Sequence, residues 1–300
     1  TTALSSGYYV HKALIASDTI IMLGHDISEK PPIILTPEKH KVIHINFSPA
    51  DIDEVYVPTY EIIGDVSHAL WVLSEKIKVQ KSWDFSYFFR IRDVLKKSIL
   101  EGINNDSFPI MPSRIVYDVY NVMPEDGVLA LDNGMYKIWF ARNYKAREQN
   151  SVLLDNALAT MGAGLSSGIA TKILFPEKKV LVISGDGGIM MNVGEIETAC
   201  RLGLDLTILI LSDSEFGMIR WKQESMGMPS FGLDFNNPDF VKLAESFGAK
   251  GYRVDKTGEL KELLKKALDS KGVNIIDCPV DYSQNVKDLG TGLQSEILKI

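Results

Sequence analysis

KVLVISGDGGIMMNVGEIETACRLGLDLTILILSDSEFGMIRWKQ, from Lys179 to Gln223, carries the strongest structural signal in this chain. An apolar run ends in SGDGG, a helical segment follows, and a second apolar run ends in SDSEFG. Continuous apolar runs joined by a helical segment are typical of parallel strands that are buried on both faces. The stretch therefore predicts a strand–helix–strand unit of a parallel α/β sheet.

The same stretch predicts a binding site at the carboxyl ends of its two strands. A right-handed crossover brings these strand ends to one sheet edge, so Asp186 and Asp213 are expected side by side. Two carboxylates suit Mg²⁺, which shares its shell with phosphate oxygens. Gly185, Gly187 and Gly188 let a polyanion approach the backbone and the start of the helix. The interpretation is a metal-bridged diphosphate site. GDGG alone is more often a plain strand-to-helix turn, and it is the second acidic strand end at crossover spacing that supports the site.

The rest of the chain alternates short strands with helical patterns, which predicts α/β layers throughout. Further strands are predicted at 19–23, 41–45, 60–63, 128–131, 251–254 and 274–278, besides 179–184 and 205–211 in the central stretch. Helices are predicted at 68–77, 114–123, 162–174, 195–202, 238–247 and 258–270. Residues 78–113 show no strand signal and are interpreted as a linker that contains one helix.

Composition excludes several classes of protein. The chain has 300 residues, of which 45% are hydrophobic and 24% charged, as in globular proteins and unlike disordered or collagen-like ones. Its net charge of −7 gives no basic footprint for nucleic acid. Only two cysteines occur, too few for a disulfide framework or a Cys-rich zinc site, so a cytoplasmic location is expected. Its apolar runs are far shorter than a membrane span.

GDGG with a second acidic position 27 residues after its Asp, inside a strand–helix–strand unit, resembles the diphosphate-binding motif of thiamine diphosphate-dependent enzymes. The family usually has Asn at the second position, whereas the catabolic, flavin-free acetolactate synthases have Asp, as in SDSEFGM here. Other stretches that resemble this branch are LDNGMYKIWFARNY (131–144), ATMG (159–162), GEIETACRLG (194–203), DFVKLAESFGAKGYRV (239–254) and PVDYSQN (279–285). VIHINFSPADI (42–52) and EIIGDV (61–66) resemble the later half of the family's middle domain.

The resemblance implies a parallel, doubly wound diphosphate domain preceded by part of a Rossmann-like middle domain. The implied organisation is the second half of the middle domain at 1–77, a linker at 78–113, the diphosphate and Mg²⁺-binding domain at 114–285 and a tail at 286–300. The family's N-terminal pyrimidine-binding domain has no counterpart in these residues, so the chain is expected to be the C-terminal part of a longer polypeptide.

The resemblance also assigns cofactor-binding residues. It implies that Mg²⁺ is bound by the side chains of Asp186 and Asp213 and by the main-chain carbonyl of Glu215. The residues implied to wrap the diphosphate are Gly187, Gly188, Phe216, Gly217 and Met218, with Asn133, Gly134, Met135 and Tyr136 forming a second loop on the diphosphate side. The family commonly has Gln and His where Met135 and Tyr136 stand, so this sequence departs from the family pattern at these two positions.

Three further assignments concern the organic part of the cofactor and the substrate. Met161 matches the apolar residue that props the cofactor into its bent, catalytic conformation. The carbonyl of Ala159 matches the acceptor for the pyrimidine amino group; the usual Gly is Ala here, which suits that role if φ stays negative. Trp221 lies one residue from a substrate-contacting Trp of flavin-containing relatives and is a pocket-edge candidate. The alternative is simple core packing, for Met161 and Met218 and for Tyr136 and Trp139.

The implied activity is that of a thiamine diphosphate- and Mg²⁺-dependent acetolactate synthase, which converts two pyruvates to 2-acetolactate and CO₂ as a homodimer or homotetramer. FAD is not expected. The family's activating Glu lies on the separate N-terminal domain, so these residues alone are expected to be inactive. The alternatives are another thiamine diphosphate enzyme acting on 2-keto acids (a decarboxylase, oxidase or carboligase), or a non-catalytic cofactor-binding module. A nicotinamide dinucleotide site is disfavoured because no GxGxxG follows a strand.

Overall fold

The structure is a computed structural model that describes residues 9–25, 34–51, 55–156, 158–283 and 285. The described residues fall into two compact units, one within 1–97 and the other within 98–285. The predicted tail, 286–300, lies outside the described residues. Among the helices of the described ranges, none is both long and apolar enough to cross a membrane.

The first unit contains a parallel three-stranded sheet in the order β1-β2-β3. Its elements are α1 (Tyr9–Ala16), β1 (Thr19–Leu23), β2 (Lys41–Asn46), β3 (Tyr60–Ile63) and α2 (Val66–Lys76), followed by α3 (Ser86–Ile103), within which the boundary to the second unit falls. Ile20, Val42 and Val55 belong to the apolar core of this unit. All three strands agree with the sequence prediction to within one residue.

The second unit contains a six-stranded parallel sheet, of which the sequence predicts the parallel arrangement and five of the strands. Its strands are β4 (Val128–Leu131), β5 (Val152–Leu154), β6 (Val180–Gly185), β7 (Thr207–Ser212), β8 (Lys250–Arg253) and β9 (Asn274–Pro279). Its helices are α4 (Pro112–Val122), α5 (Met135–Asn143), α6 (Ala163–Leu174), α7 (Asp186–Met191), α8 (Glu195–Arg201), α9 (Gly217–Ser225), α10 (Phe240–Ser246) and α11 (Leu260–Asp269), with a 3₁₀ turn at Thr257–Glu259.

The strand order β5-β4-β6-β7-β9-β8 fixes where a ligand can bind. The chain leaves β4 toward β5 on one side, whereas it leaves β6 toward β7 on the other. The connections therefore diverge at the carboxyl ends of β4 and β6, which leaves a crevice there. In open α/β sheets this switch point is the usual ligand site.

Helices cover both faces of this sheet because both sets of alternating side chains are apolar. Val128, Val182 and Ile208 share one buried core with residues of α6, α7, α8 and α10. Leu181 and Leu209, which point to the opposite face, are also completely buried. On that face α11 packs on β9 and α4, and α4 packs on α5. Burial of each of these aliphatic side chains stabilises the folded chain by roughly 1.5–3 kcal/mol. The strand ends therefore belong to a well-packed sheet.

The sequence prediction misses one strand of this sheet. β5 has only three residues, Val152–Leu154, and pairs with β4 alone at the edge of the sheet. A three-residue run is too short for the alternation that identifies a strand. β7 begins at Thr207 instead of Asp205, and the remaining predicted strands agree to within one residue at each end.

Candidate functional site

Asp186 is the centre of the site. It is the first residue of α7, directly after β6, and is 1% exposed. Its Oδ2 accepts hydrogen bonds from the backbone N–H groups of Asp213 (3.0 Å) and Ser214 (2.7 Å) and from the side-chain amide of Asn237 (2.7 Å). Its Oδ1 accepts one from the Gly187 N–H at 2.8 Å, which leaves that oxygen a free lone pair for a cation.

Asp213 lies beside Asp186 at the end of β7, as the crossover argument predicts. Its Oδ2 is buried and has no hydrogen-bond partner among the described residues. Burial raises the pKa of Asp213 to about 8, and the neighbouring carboxylates of Asp186 and Glu215 add to the effect. An unpaired carboxyl oxygen is costly to bury, and a cation at this point would remove that cost.

The side chain of Glu215 has a different partner. It forms an ion pair with Arg220, which also pairs with Asp234 at 2.7 Å. Burial raises the pKa of Glu215, and the Arg220 charge opposes that shift. Within the described ranges, no group of three or more His, Cys, Asp or Glu side chains is arranged to bind a metal ion. A cation at Asp186 and Asp213 therefore needs main-chain or ligand oxygens to complete its shell.

Gly187 and Gly188 follow Asp186 in the first turn of α7. A Cβ on Gly188 would lie 2.3 Å from Oδ2 of Asp132, an oxygen that already accepts a hydrogen bond from Ser184. A Cβ on Gly187 would lie within 3.4 Å of the side chains of three residues: Met161, Phe216 and Phe235. Met161 and Phe216, which the resemblance names, are thus placed beside the GDGG backbone.

A polar network joins the loop after β4 to the loop after β5. Lys137, 5% exposed, donates to Oδ1 of Asn133 (2.8 Å) and to the carbonyl of Asp155 (2.9 Å). Asn133 in turn donates to the carbonyl of Thr160 at 2.9 Å. The Asp155 carboxylate accepts from the Thr160 N–H at 3.2 Å. These bonds fix the loop that carries Ala159 and Met161 relative to Asn133.

Ala159 does not meet the condition under which Ala suits the position of the family's Gly. Its φ is +49°, in the left-handed region, whereas that condition is a negative φ. The loop therefore has the shape that a glycine adopts freely, and the Ala Cβ makes that shape strained. The assigned role of its carbonyl remains a prediction.

The other predicted residues lie on α5 and α9. Gly134 is the N-cap of α5, and Met135 and Tyr136 are buried in its first turn. Burial and the Asp132 carboxylate raise the pKa of Tyr136. Gly217 and Met218 open α9, where Trp221 is 8% exposed. Trp139 donates its indole N–H to Oδ1 of Asn285 at 2.9 Å, so its side chain packs instead of facing a ligand.

Four residues of this region are not predicted from the sequence: Asn237, Phe235, Lys137 and Tyr282. Asn237 contacts Asp186 across 51 positions of sequence, and no spacing rule predicts such a pair. The Phe235 ring packs against the Phe216 ring at a tilt of 52°, with ring centroids 5.0 Å apart. Tyr282 lies near Gly217 and has a buried hydroxyl oxygen. The dipeptide NN before α10 and the PVDYSQN stretch are the available sequence signals.

These residues fit a magnesium-bound diphosphate. Asp186 and Asp213 offer carboxylate oxygens to the cation. Oδ2 of Asp213 is buried without a hydrogen-bond partner among the described residues, and a bound cation would pair with it. The absence of a Cβ at Gly188, where one would meet Asp132, lets the backbone turn closely against the buried carboxylate. The site also lies at the switch point of the sheet.

Comparison with known proteins gives the family. Residues 132–278 match the family model of the thiamine pyrophosphate enzyme C-terminal TPP-binding domain, and residues 2–73 match that of the central domain. The chain is 31% identical over 276 residues to an acetolactate synthase of Bacillus subtilis, covering 90% of this chain and 48% of the relative. It is 30% identical over 293 residues to a catabolic acetolactate synthase of Raoultella terrigena, covering 96% and 52%.

A solved structure agrees at the level of fold. The thiamine diphosphate-dependent 4-hydroxybenzoylformate decarboxylase of Rhodococcus jostii RHA1 superposes with a TM-score of 0.74 at 19% identity, covering 91% of this chain and 50% of that one. The chain thus spans about half the length of the curated relatives it matches. Two matched domains in the family's order, on the fold described above, identify the chain as a member of the thiamine pyrophosphate enzyme family.

Proposed function

We propose that these residues form the Mg²⁺- and diphosphate-binding part of a cytoplasmic acetolactate synthase that joins two pyruvates with loss of CO₂. The observation that carries the proposal is the pair Asp186 and Asp213, one carboxylate held by four N–H donors and the other left with an unpaired buried oxygen. The resemblance of SDSEFGM to the flavin-free synthases and the similarity to relatives of that name support the choice of reaction.

The residues of this chain bind and orient the cofactor. The side chains of Asp186 and Asp213 and the carbonyl of Glu215 would hold Mg²⁺. The backbone segments that begin at Gly187 and at Phe216 would surround the diphosphate. Met161, beside Gly187, would impose the bent shape, and Phe216 and Phe235 would exclude water from that side. When bound, thiamine diphosphate supplies a carbanion nucleophile and an electron sink for decarboxylation of a 2-keto acid.

Calorimetric titration tests the cofactor site. Thiamine diphosphate with Mg²⁺ should bind the chain, and Asp186→Ala should abolish binding because it removes a cation ligand and takes the carboxylate acceptor away from four N–H donors. Asp205→Asn is the matched control. The Asp205 carboxylate also accepts a backbone hydrogen bond, from the Gly272 N–H, but Asp205 lies just before the amino end of β7, whereas the site lies at the carboxyl end. Equal affinity of wild type and Asp186→Ala would refute the site.

A product assay tests the reaction. These 300 residues alone should form no acetolactate from pyruvate, because the family's activating Glu comes from a separate domain. A protein that also carries such a domain should form acetolactate. Acetaldehyde or peroxide as the main product would indicate a decarboxylase or an oxidase instead. Binding of cofactor without any turnover in that longer protein would indicate a non-catalytic module.

A further inference from the structure

Tyr282, in the segment after β9, has a hydroxyl group without an evident structural role. Its hydroxyl oxygen is buried and has no hydrogen-bond partner among the residues that the structure describes. Its ring lies against the start of α9, with Cδ2 3.8 Å from the point where a Cβ of Gly217 would stand. The same point is 2.9 Å from Oδ2 of Asp213. The ring of Tyr282 and the unpaired carboxyl oxygen therefore flank one glycine.

Two of the unpaired groups of this region, Oδ2 of Asp213 and the hydroxyl of Tyr282, are chemically complementary to one kind of ligand. Buried hydroxyl and carboxyl groups are normally hydrogen-bonded, and each one left unpaired destabilises the folded chain. Here Asp213 presents an acceptor that a cation would satisfy, while Tyr282 presents an O–H donor that an anionic oxygen would satisfy. A water molecule could pair with either group, but a cation-bound polyanion supplies both partners at once.

We propose that the hydroxyl of Tyr282 donates a hydrogen bond to a diphosphate oxygen of the metal-bound cofactor. This inference rests on the proposed function and adds a binding residue from outside the GDGG and SDSEFG motifs. A tyrosine hydroxyl keeps its proton at neutral pH and can act as a donor. Hydrogen bonds from a neutral donor to an ionised oxygen are stronger than those between neutral groups.

Tyr282→Phe tests the proposal because it removes one oxygen and keeps the ring. The probes are Mg²⁺ with inorganic pyrophosphate and Mg²⁺ with thiamine diphosphate, each titrated calorimetrically. We expect Kd to rise about tenfold for both probes, equivalent to about 1.4 kcal/mol. Without ligand, the variant should melt at the same temperature as wild type or higher, because the lost hydroxyl had no partner.

Tyr252→Phe is the matched control. The Tyr252 hydroxyl donates to Asn274 Oδ1 at 3.4 Å, and Asn274 is the first residue of β9, at the amino end of the strand, whereas the site lies at the carboxyl ends. This variant should bind both probes with wild-type affinity. A loss of affinity equal to that of Tyr282→Phe would overturn the proposal, since the effect would not be local.

Three other results would overturn the proposal. Unchanged Kd values for Tyr282→Phe would mean that the hydroxyl binds water only. Weaker binding of thiamine diphosphate but not of pyrophosphate would place the hydroxyl away from the diphosphate. A variant that melts lower or does not fold would show that the hydroxyl has a structural partner. If wild type binds neither probe, the proposed function itself fails; if wild type binds and Asp186→Ala does not, only the role of Tyr282 is in question.

Discussion

Asp213 couples the site to pH. Its pKa is about 8 in the folded chain, against an ordinary value of 3.8, because burial and two neighbouring carboxylates disfavour the charge. The folded chain therefore binds more protons than the unfolded chain between about pH 4 and pH 8, so this residue makes stability fall as pH rises through that window. The slope is at most about 1.4 kcal/mol per pH unit.

Asp213→Asn should remove this pH dependence. Mg²⁺ needs the ionised carboxylate, so cofactor binding to wild type should release about one proton at pH 7 and tighten by up to about tenfold per pH unit until pH 8. The Asn variant keeps an oxygen ligand and has no proton to lose, so it should bind with little pH dependence. Calorimetry in two buffers of different ionisation enthalpy measures the released proton. Equal proton release by both proteins would contradict the assignment.

Ala159→Gly should stabilise the chain. The φ of +49° costs an L-residue with a Cβ about 1 kcal/mol or more, and glycine relieves most of that cost. After the entropy that glycine loses on folding, we expect a net gain of about 0.5 kcal/mol in the free energy of unfolding, measured by urea denaturation. Ala170→Gly, on the exposed side of α6, is the control and should cost about 1 kcal/mol. A destabilised Ala159→Gly protein would contradict the strained conformation.

At the residue scale, the sequence predicts contacts that the topology enforces and misses those that loops create. Asp186 and Asp213 follow neighbouring parallel strands, so spacing alone brings them together. The bonds from Asn237 to Asp186 and from Lys137 to Asp155 join separate loops, and their geometry depends on backbone conformations that no local pattern encodes. The positive φ of Ala159 is a further example, since Ala carries no signal for it.

At the element scale, close packing of α6 on the sheet holds the strands that end at the site. A Cβ on Gly168 would lie 2.2 Å from Cγ2 of Val182 in the middle of β6, so no larger residue fits there without movement. Gly168→Ala should therefore lower the free energy of unfolding by about 1–3 kcal/mol. Gly258→Ala, where nothing lies within 4 Å of the new Cβ, should change it by less than about 0.5 kcal/mol.

A double-mutant cycle with Val182→Ala identifies the cause of that loss. Removing the Val182 methyl groups makes room for the new Cβ, so the two substitutions together should cost less than the sum of their separate costs by about 1 kcal/mol or more. Simple additivity would mean that Gly168 matters for another reason, such as the backbone of α6.

Strand prediction works at this scale because buried parallel strands are continuous apolar runs. β6 and β7 have five fully buried residues each and are found from the sequence. β5 is half-buried at the edge and only three residues long, so its signal is too weak. Helix α7 is also short, with only six residues. Two of the residues in its first turn are glycines, so that turn carries no helical pattern in the sequence.

At the scale of the whole molecule, every residue proposed to bind the cofactor lies within residues 98–285. A ligand at 100 times its Kd stabilises the unit that binds it by about 2.7 kcal/mol. Amides of β6 and β7, which exchange when this unit unfolds, should therefore exchange about 100-fold more slowly with Mg²⁺ and thiamine diphosphate. Amides of β1 and β2 belong to the other unit, so the cofactor should leave their exchange rate unchanged.

Hydrogen exchange followed by mass spectrometry of peptides measures this difference. Asp186→Ala is the control: adding Mg²⁺ and thiamine diphosphate should not slow exchange in any of its peptides. The backbone N–H groups of Asp213 and Ser214 already donate to Asp186, so their protection should rise further when the cation fixes that carboxylate. Equal protection of β1, β2, β6 and β7 would mean that both units unfold together, and the cofactor would then stabilise the chain as one cooperative structure. Protection confined to β6, β7 and the segment around Asn237 would instead establish that the diphosphate site depends on the second unit alone.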